Sequence, residues 1–73
     1  MTDAKLLTLV GKRVRELREQ KGMTQEEAAR LSGFDYKYFQ RIEYGERNLS
    51  LTSLAKLAKA FKVTIAEIVS IDS

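Results

Sequence analysis

Hydrophobic residues recur every three or four positions along much of the chain, which is the spacing of one face of an α-helix. In the first such stretch, residues 4 to about 20, the apolar face consists of Leu6, Leu7, Val10, Val14 and Leu17. A later stretch follows Ser50, and its apolar face consists of Leu51, Leu54, Leu57, Ala58 and Phe61. No stretch alternates apolar and polar residues as a strand would. The pattern therefore predicts an all-α fold.

Between these stretches, residues 24–45 carry the start and stop signals of two short helices. Thr24 is a good N-cap residue, and Glu27 stands three positions later to complete a capping box. Gly33 can adopt the left-handed conformation that ends many helices, and Asp35 can cap the next one. Two helices joined by so short a turn must cross steeply. This arrangement is the helix-turn-helix motif.

The segment 63–73 contains more apolar side chains than a short terminal helix needs for docking on a small core. Thr64 is expected to cap a fifth helix, with Glu67 completing a capping box. Two interpretations remain open for the apolar side chains, namely core packing and a symmetric homodimer interface. The residues that would form such an interface are Ile65, Ile68, Val69 and Ile71.

Composition limits the chemistry that the chain can perform. The 73 residues fit one domain, 1–73, and a hydrophobic content of 44% is sufficient for a core. Cysteine and histidine are absent, which removes the commonest metal ligands and the commonest general base. We therefore expect no enzyme activity, no metal and no cofactor. Without an apolar run long enough for a membrane span or a secretory leader, a cytoplasmic location is expected.

A set of spaced residues extends from about position 10 to position 70. It comprises Val14, Leu17, Arg18, the segment KGMTQEE at 21–27, Ala29, Gly33, Ile42, Glu43, Gly45, Asn48, Ser50, Leu51, Leu54, Leu57 and Ala58. This set closely resembles the phage Cro/repressor-like helix-turn-helix family of the xenobiotic response element type. The resemblance implies a compact five-helix, lambda-repressor-like DNA-binding domain. Small stand-alone members, such as phage Cro-like regulators and restriction-modification controller proteins, look most similar.

In this motif the second helix lies in the major groove, and its N-terminal residues contact base edges. If that helix begins at Tyr36, helical spacing turns Phe39 and Ile42 toward the core. The outward residues, which we expect to read bases, are Tyr36, Lys37, Gln40 and Arg41. Lysine and arginine can donate to guanine, and glutamine can pair with adenine. The alternative for Lys37 and Arg41 is an ordinary solvated helix face.

A second group of residues is expected to contact phosphates. Gln25 resembles the phosphate-contacting residue of the family and stands at a helix N-terminus, where anions bind well. Arg47 and Asn48 in the following loop are similar candidates. The Tyr38 and Tyr44 hydroxyls would reach either a phosphate or water. The resemblance also implies an ion pair between Arg18 and Glu43 that joins the first helix to the recognition helix.

These observations favour a sequence-specific, double-stranded DNA-binding transcriptional regulator that acts as a homodimer on a pseudo-palindromic operator. Repression would follow from occluding polymerase and activation from touching it, and the residues do not choose between them. The alternative is a protein-binding adaptor, such as an antitoxin, that uses its tyrosines at a protein interface. The net charge of +3 and the pI near 9.4 are weak evidence for a polyanionic partner.

Overall fold

The computed structural model describes residues 3–71, which form five α-helices and no strand. They are α1 (Asp3–Gln20), α2 (Gln25–Ser32), α3 (Tyr36–Glu43), α4 (Leu51–Phe61) and α5 (Ile65–Ile68). The all-α prediction is confirmed. None of the helices in this range is long and apolar enough to cross a membrane. The last two positions of the predicted segment 63–73 lie outside the described residues.

Side-chain caps define where the two central helices begin. The Thr24 hydroxyl accepts a hydrogen bond from the Glu27 N–H at 3.1 Å, and the Glu27 carboxylate accepts one from the Thr24 N–H at 3.1 Å. The hydrogen bond from the Thr24 backbone lowers the pKa of Glu27. Asp35 accepts from the Tyr38 N–H at 2.9 Å and caps α3. Gly33 ends α2 with a φ of 79°. The local signals in the sequence therefore set both ends of the α2–α3 turn.

Helix α4 begins at a serine cap and ends in a strained residue. The Ser50 hydroxyl accepts from the Ser53 N–H at 3.0 Å. Lys62 terminates the helix with a φ of 58°, and it is the one residue other than glycine within 3–71 that has a positive φ. For a residue with a side chain, this left-handed conformation costs about 1–2 kcal/mol. The backbone at Lys62 would thus be more relaxed with glycine.

The core lies where all five helices meet. Its largest fully buried side chains are Val14, Phe39, Ile42, Leu57, Phe61 and Ile68. Two expectations from the apolar pattern are wrong, because Leu6 is 42% exposed and Leu51 is 76% exposed. Leu6 lies in the N-terminal part of α1, which extends beyond the core. Leu51 is the first residue of α4 and precedes the part of that helix that packs.

Glycine permits an unusually close approach between α1 and the end of α3. A Cβ atom on Gly11 would lie 2.5 Å from the Ile42 carbonyl oxygen and 2.7 Å from that of Glu43. A Cβ atom on Gly45 would lie 2.8 Å from the Thr8 Cα, and the φ of Gly45 is 77°. Both neighbours are backbone and cannot move aside as a flexible side chain would. Glycine at positions 11 and 45 therefore determines how closely α3 packs on α1.

Candidate nucleic-acid interface

Helix α3 divides into a buried face and an outward face. Phe39 and Ile42 are 0% and 1% exposed and hold α3 in the core. On the opposite side, Lys37 and Arg41 are exposed, and their side chains make no hydrogen bond or ion pair with the rest of residues 3–71. Tyr36 is 42% exposed and shares this outward side. The two cations are therefore free to meet a ligand that approaches α3.

The outward glutamine and tyrosine of α3 are tied to α2 by a side-chain network. The Gln40 amide nitrogen donates to the Gln25 amide oxygen at 3.3 Å and to the Tyr36 hydroxyl at 3.1 Å. The Gln25 amide nitrogen in turn donates to the Glu43 carboxylate at 2.9 Å. Gln40 is half-buried as a result. Two of the four predicted base-reading side chains are thus oriented by Gln25 before any ligand arrives.

The Glu43 carboxylate is the centre of this network. Arg18 Nε donates to Glu43 Oε2 at 2.6 Å, and the two side chains are 12% and 2% exposed. Arg18 Nη2 also approaches Glu43 Oε1 at 3.4 Å, while Arg18 Nη1 donates to the Met23 carbonyl at 2.8 Å. The pair therefore connects α1, α3 and the loop that precedes α2. Buried charges of this kind need partners for every polar atom, and these contacts supply them.

The predicted phosphate-contacting residues have different environments. Tyr44 is 64% exposed, and Arg47 and Asn48 in the α3–α4 loop are exposed as well. Tyr38 differs because its half-buried ring packs on Phe34, with ring centroids 5.0 Å apart. The Tyr38 ring serves in part to cover the core, whereas most of the Tyr44 side chain is exposed to solvent.

One further cation, which the sequence analysis did not single out, lies beside these residues. The Arg15 side chain is 61% exposed and lines a polar cleft together with Gln25, Tyr36 and Tyr44. Its contact with Glu19, at 4.0 Å within the same helix, is long. The signal was its position one helical turn before Arg18, which places both arginines on the same side of α1.

The predicted dimer residues do not all reach the surface. Ile68 is 0% exposed and belongs to the core, so its assignment to an interface is wrong. The side chain closes the core beneath α5. Val69 is 42% exposed, whereas Ile65 and Ile71 are half-buried. Val69 and Ile71 also line an apolar groove with Leu6 at the N-terminal part of α1.

Comparison with known proteins identifies the family of this chain. The helix-turn-helix family HTH_3 matches residues 14–68. An uncharacterized HTH-type transcriptional regulator of Sinorhizobium fredii is 42% identical over 62 residues, which cover 85% of this chain and 80% of the relative. Control protein C.MunI from a Mycoplasma species is 34% identical over 61 residues, which cover 82% of each chain.

A solved structure has the same fold over most of this chain. The restriction-modification controller protein C.AhdI from Aeromonas hydrophila superposes with a TM-score of 0.82 at 45% sequence identity. The alignment covers 89% of this chain and 97% of that protein. The resemblance stated from the residues is therefore confirmed. The chain belongs to the helix-turn-helix family of DNA-binding transcription regulators.

Proposed function

We propose that the chain binds a pseudo-palindromic operator as a homodimer, with α3 of each protomer in the major groove. The observation that carries this proposal is the division of α3. Its inner face is anchored by Phe39 and Ile42, and its outer face presents Lys37 and Arg41 without protein partners. A helix held in this way can enter the groove as a rigid unit.

The chemistry of each outward side chain suggests its role. Arg41 and Lys37 donate to guanine O6 and N7, while Gln40 pairs with adenine and the Tyr36 ring packs on a thymine methyl group. Gln40 must give up its hydrogen bond to Gln25 before it can pair with a base. Its contact with the base therefore adds less binding free energy than the same contact from an unbonded glutamine. Lys37 and Arg41 give up only bound water when they contact bases, and we therefore assign them the larger share of base recognition.

Phosphate contacts would surround this helix. The free N–H groups at the start of α2, next to Gln25, suit an anion because the helix dipole adds to them. Arg15 and Tyr44 line the same cleft, and Arg47 and Asn48 extend from the α3–α4 loop. Such contacts set the register on the duplex and make affinity depend on salt. Tyr38 would contribute with its hydroxyl while its ring remains on Phe34.

A homodimer fits the dimensions of the protomer. The chain measures 31 × 23 × 21 Å, and half-sites on one face of DNA lie about 34 Å apart. Two protomers placed side by side can thus present their recognition helices to successive major grooves. The proposed interface uses Val69, Ile65 and Ile71, which retain exposed apolar surface. We also infer a cytoplasmic location, since the relatives are bacterial and the ligand is DNA.

The experiment that tests this function is selection of bound duplexes from a randomised pool, followed by titration of the enriched duplex at two salt concentrations. A pseudo-palindromic consensus, with affinity falling steeply as salt rises, supports the proposal. An unenriched pool with weak, salt-sensitive binding contradicts it and favours the protein-binding adaptor. The consensus also identifies candidate operators in the source genome.

Removing both cations of α3 should abolish specific binding. We expect Lys37→Ala combined with Arg41→Ala to weaken operator affinity by about 100-fold or more, because each lost base contact is worth about 1–3 kcal/mol. Fluorescence anisotropy with the selected duplex measures the loss. Lys12→Ala with Lys21→Ala removes equal charge from exposed positions outside α3 and serves as the matched control. Equal losses in both variants would assign the effect to net charge alone.

A charge at the proposed interface should separate the protomers. We expect Val69→Glu to shift the sedimentation coefficient from that of a dimer to that of a monomer, because an unpaired carboxylate cannot be buried there. Ser70→Glu places the same charge on the neighbouring exposed residue and serves as the control. A Val69→Glu protein that still sediments as a dimer would place the interface elsewhere.

A further inference from the structure

A second basic surface lies at the opposite end of α2 from the DNA-facing network. We name it the basic cleft and define it by Arg30, Lys56, Lys59 and Lys62, which surround Leu31. The four cations are exposed, and the lining contains no carboxylate. The cleft has a volume of about 690 Å³, larger than the polar cleft beside Gln25.

Among residues 3–71, none of the four cations of the basic cleft forms an ion pair, although, in addition to the cap hydrogen bonds, the charge of Arg30 helps to lower the pKa of Glu27. The ion pairs among residues 3–71 are Arg15–Glu19 and Arg18–Glu43, so no carboxylate lies within 4.0 Å of the four. Lys56 is held by the Phe34 ring, with Nζ 5.7 Å from the ring centroid. Like charges at spacings of three residues along α4 repel each other. Apart from the Lys56–Phe34 contact and the attraction between Arg30 and Glu27, the folded protein gains little from bringing these four cations together.

The backbone at Lys62 supports the same conclusion. Its left-handed conformation, with a φ of 58°, would be free of strain with glycine. A cation near the C-terminus of α4 is favoured by the helix dipole, but Lys59 already lies in the last turn. Strain retained at one residue often marks a functional position. The strain at Lys62 is therefore consistent with a role for its side chain outside the fold.

The cleft differs from a phosphate-binding surface in two respects. Its centre is apolar, because Leu31 is 52% exposed between the cations. It also lies on a different side of α2 from Gln25. Leu31 follows Gln25 by six residues, which is about 9 Å along α2 and about 120° around it. An extended phosphate backbone offers nothing to cover Leu31, whereas an amphipathic protein segment offers both carboxylates and an apolar side chain.

We propose that the basic cleft docks an acidic amphipathic segment of a partner protein, whose carboxylates pair with the four cations while an apolar side chain covers Leu31. Charge complementarity selects this occupant. The regulator would then bind DNA with α3 and a protein with the C-terminal ends of α2 and α4. A partner held there would be brought to the operator without competing for the DNA-facing residues.

The test uses NMR titration of the ¹⁵N-labelled full chain with a synthetic helical peptide of glutamate and leucine. A second peptide, with glutamine in place of glutamate, controls for apolar binding. We expect saturable shifts of the Leu31, Gly33 and Ala60 amides with the acidic peptide alone. Leu31→Ser should weaken binding about fivefold, since it removes apolar contact without changing charge. Lys56→Gln combined with Lys59→Gln should weaken it about fivefold or more.

Lys12→Gln combined with Lys21→Gln is the matched control, because it removes two charges from exposed positions outside the cleft. A twofold or smaller effect of this variant, together with the losses above, supports the proposal. Absence of saturable binding, or equal weakening by Lys12→Gln combined with Lys21→Gln, overturns it. Shifts centred on α3 would show that the peptide mimics DNA, and cleft shifts caused by duplex DNA would show a nucleic-acid site. Both outcomes also overturn it, and none depends on the operator being known.

Discussion

Replacing Glu43 with alanine should lower the free energy of unfolding by about 3 kcal/mol. The substitution leaves the Arg18 guanidinium, whose side chain is 12% exposed, without its carboxylate. It also removes the acceptor of the Gln25 amide nitrogen. For a domain of this size the melting temperature should fall by about 4–8 °C for each kcal/mol lost. Circular dichroism during heating and during urea titration measures both quantities.

The matched control is Glu16→Ala, which removes an exposed carboxylate from α1 and should leave the melting curve nearly unchanged. A Glu43→Ala protein with the melting curve of the parent would show that the pair adds no stability. The double variant Arg18→Met with Glu43→Leu separates the two causes of destabilisation. If it is more stable than Glu43→Ala, the main cost is the stranded arginine rather than the lost attraction.

Replacing Gly11 with alanine should destabilise the fold by about 2–3 kcal/mol, although alanine is the better helix former. The added Cβ would lie 2.5 Å from the Ile42 carbonyl oxygen, so α1 and α3 must separate. Urea denaturation measures the loss. Lys12→Ala, at the next position and exposed, should change stability by less than about 0.5 kcal/mol. A Gly11→Ala protein that is more stable than the parent would show that α1 and α3 are free to shift.

The helices themselves could be predicted because their signals are local. Thr24, Glu27 and Asp35 cap helices through bonds to residues three positions away, and such bonds depend little on the remainder of the fold. The periodic apolar residues likewise identified the faces of α1 and α4. These signals predict which residues are helical and which side of a helix is apolar.

Contacts between helices were harder to predict. Gly11 stood unexplained in the middle of a predicted helix, and an isolated glycine there often marks a close packing contact. Its neighbour, the end of α3, lies more than thirty positions away in the chain. The exposure of Leu51 and the burial of Ile68 also depend on where helices end relative to the core. The pattern of apolar residues along one helix does not specify where another helix ends or which of its residues it covers.

The network around Gln25 divides the outward face of α3 into two parts that differ in their capacity for evolutionary change. Gln40 and Tyr36 both donate hydrogen bonds to Gln25, which in turn donates to Glu43, so substitutions there disturb the connection between helices. Lys37 and Arg41 have no such bonds within residues 3–71. Retargeting to a new operator should therefore begin at positions 37 and 41, where the side chain can change while the scaffold stays intact.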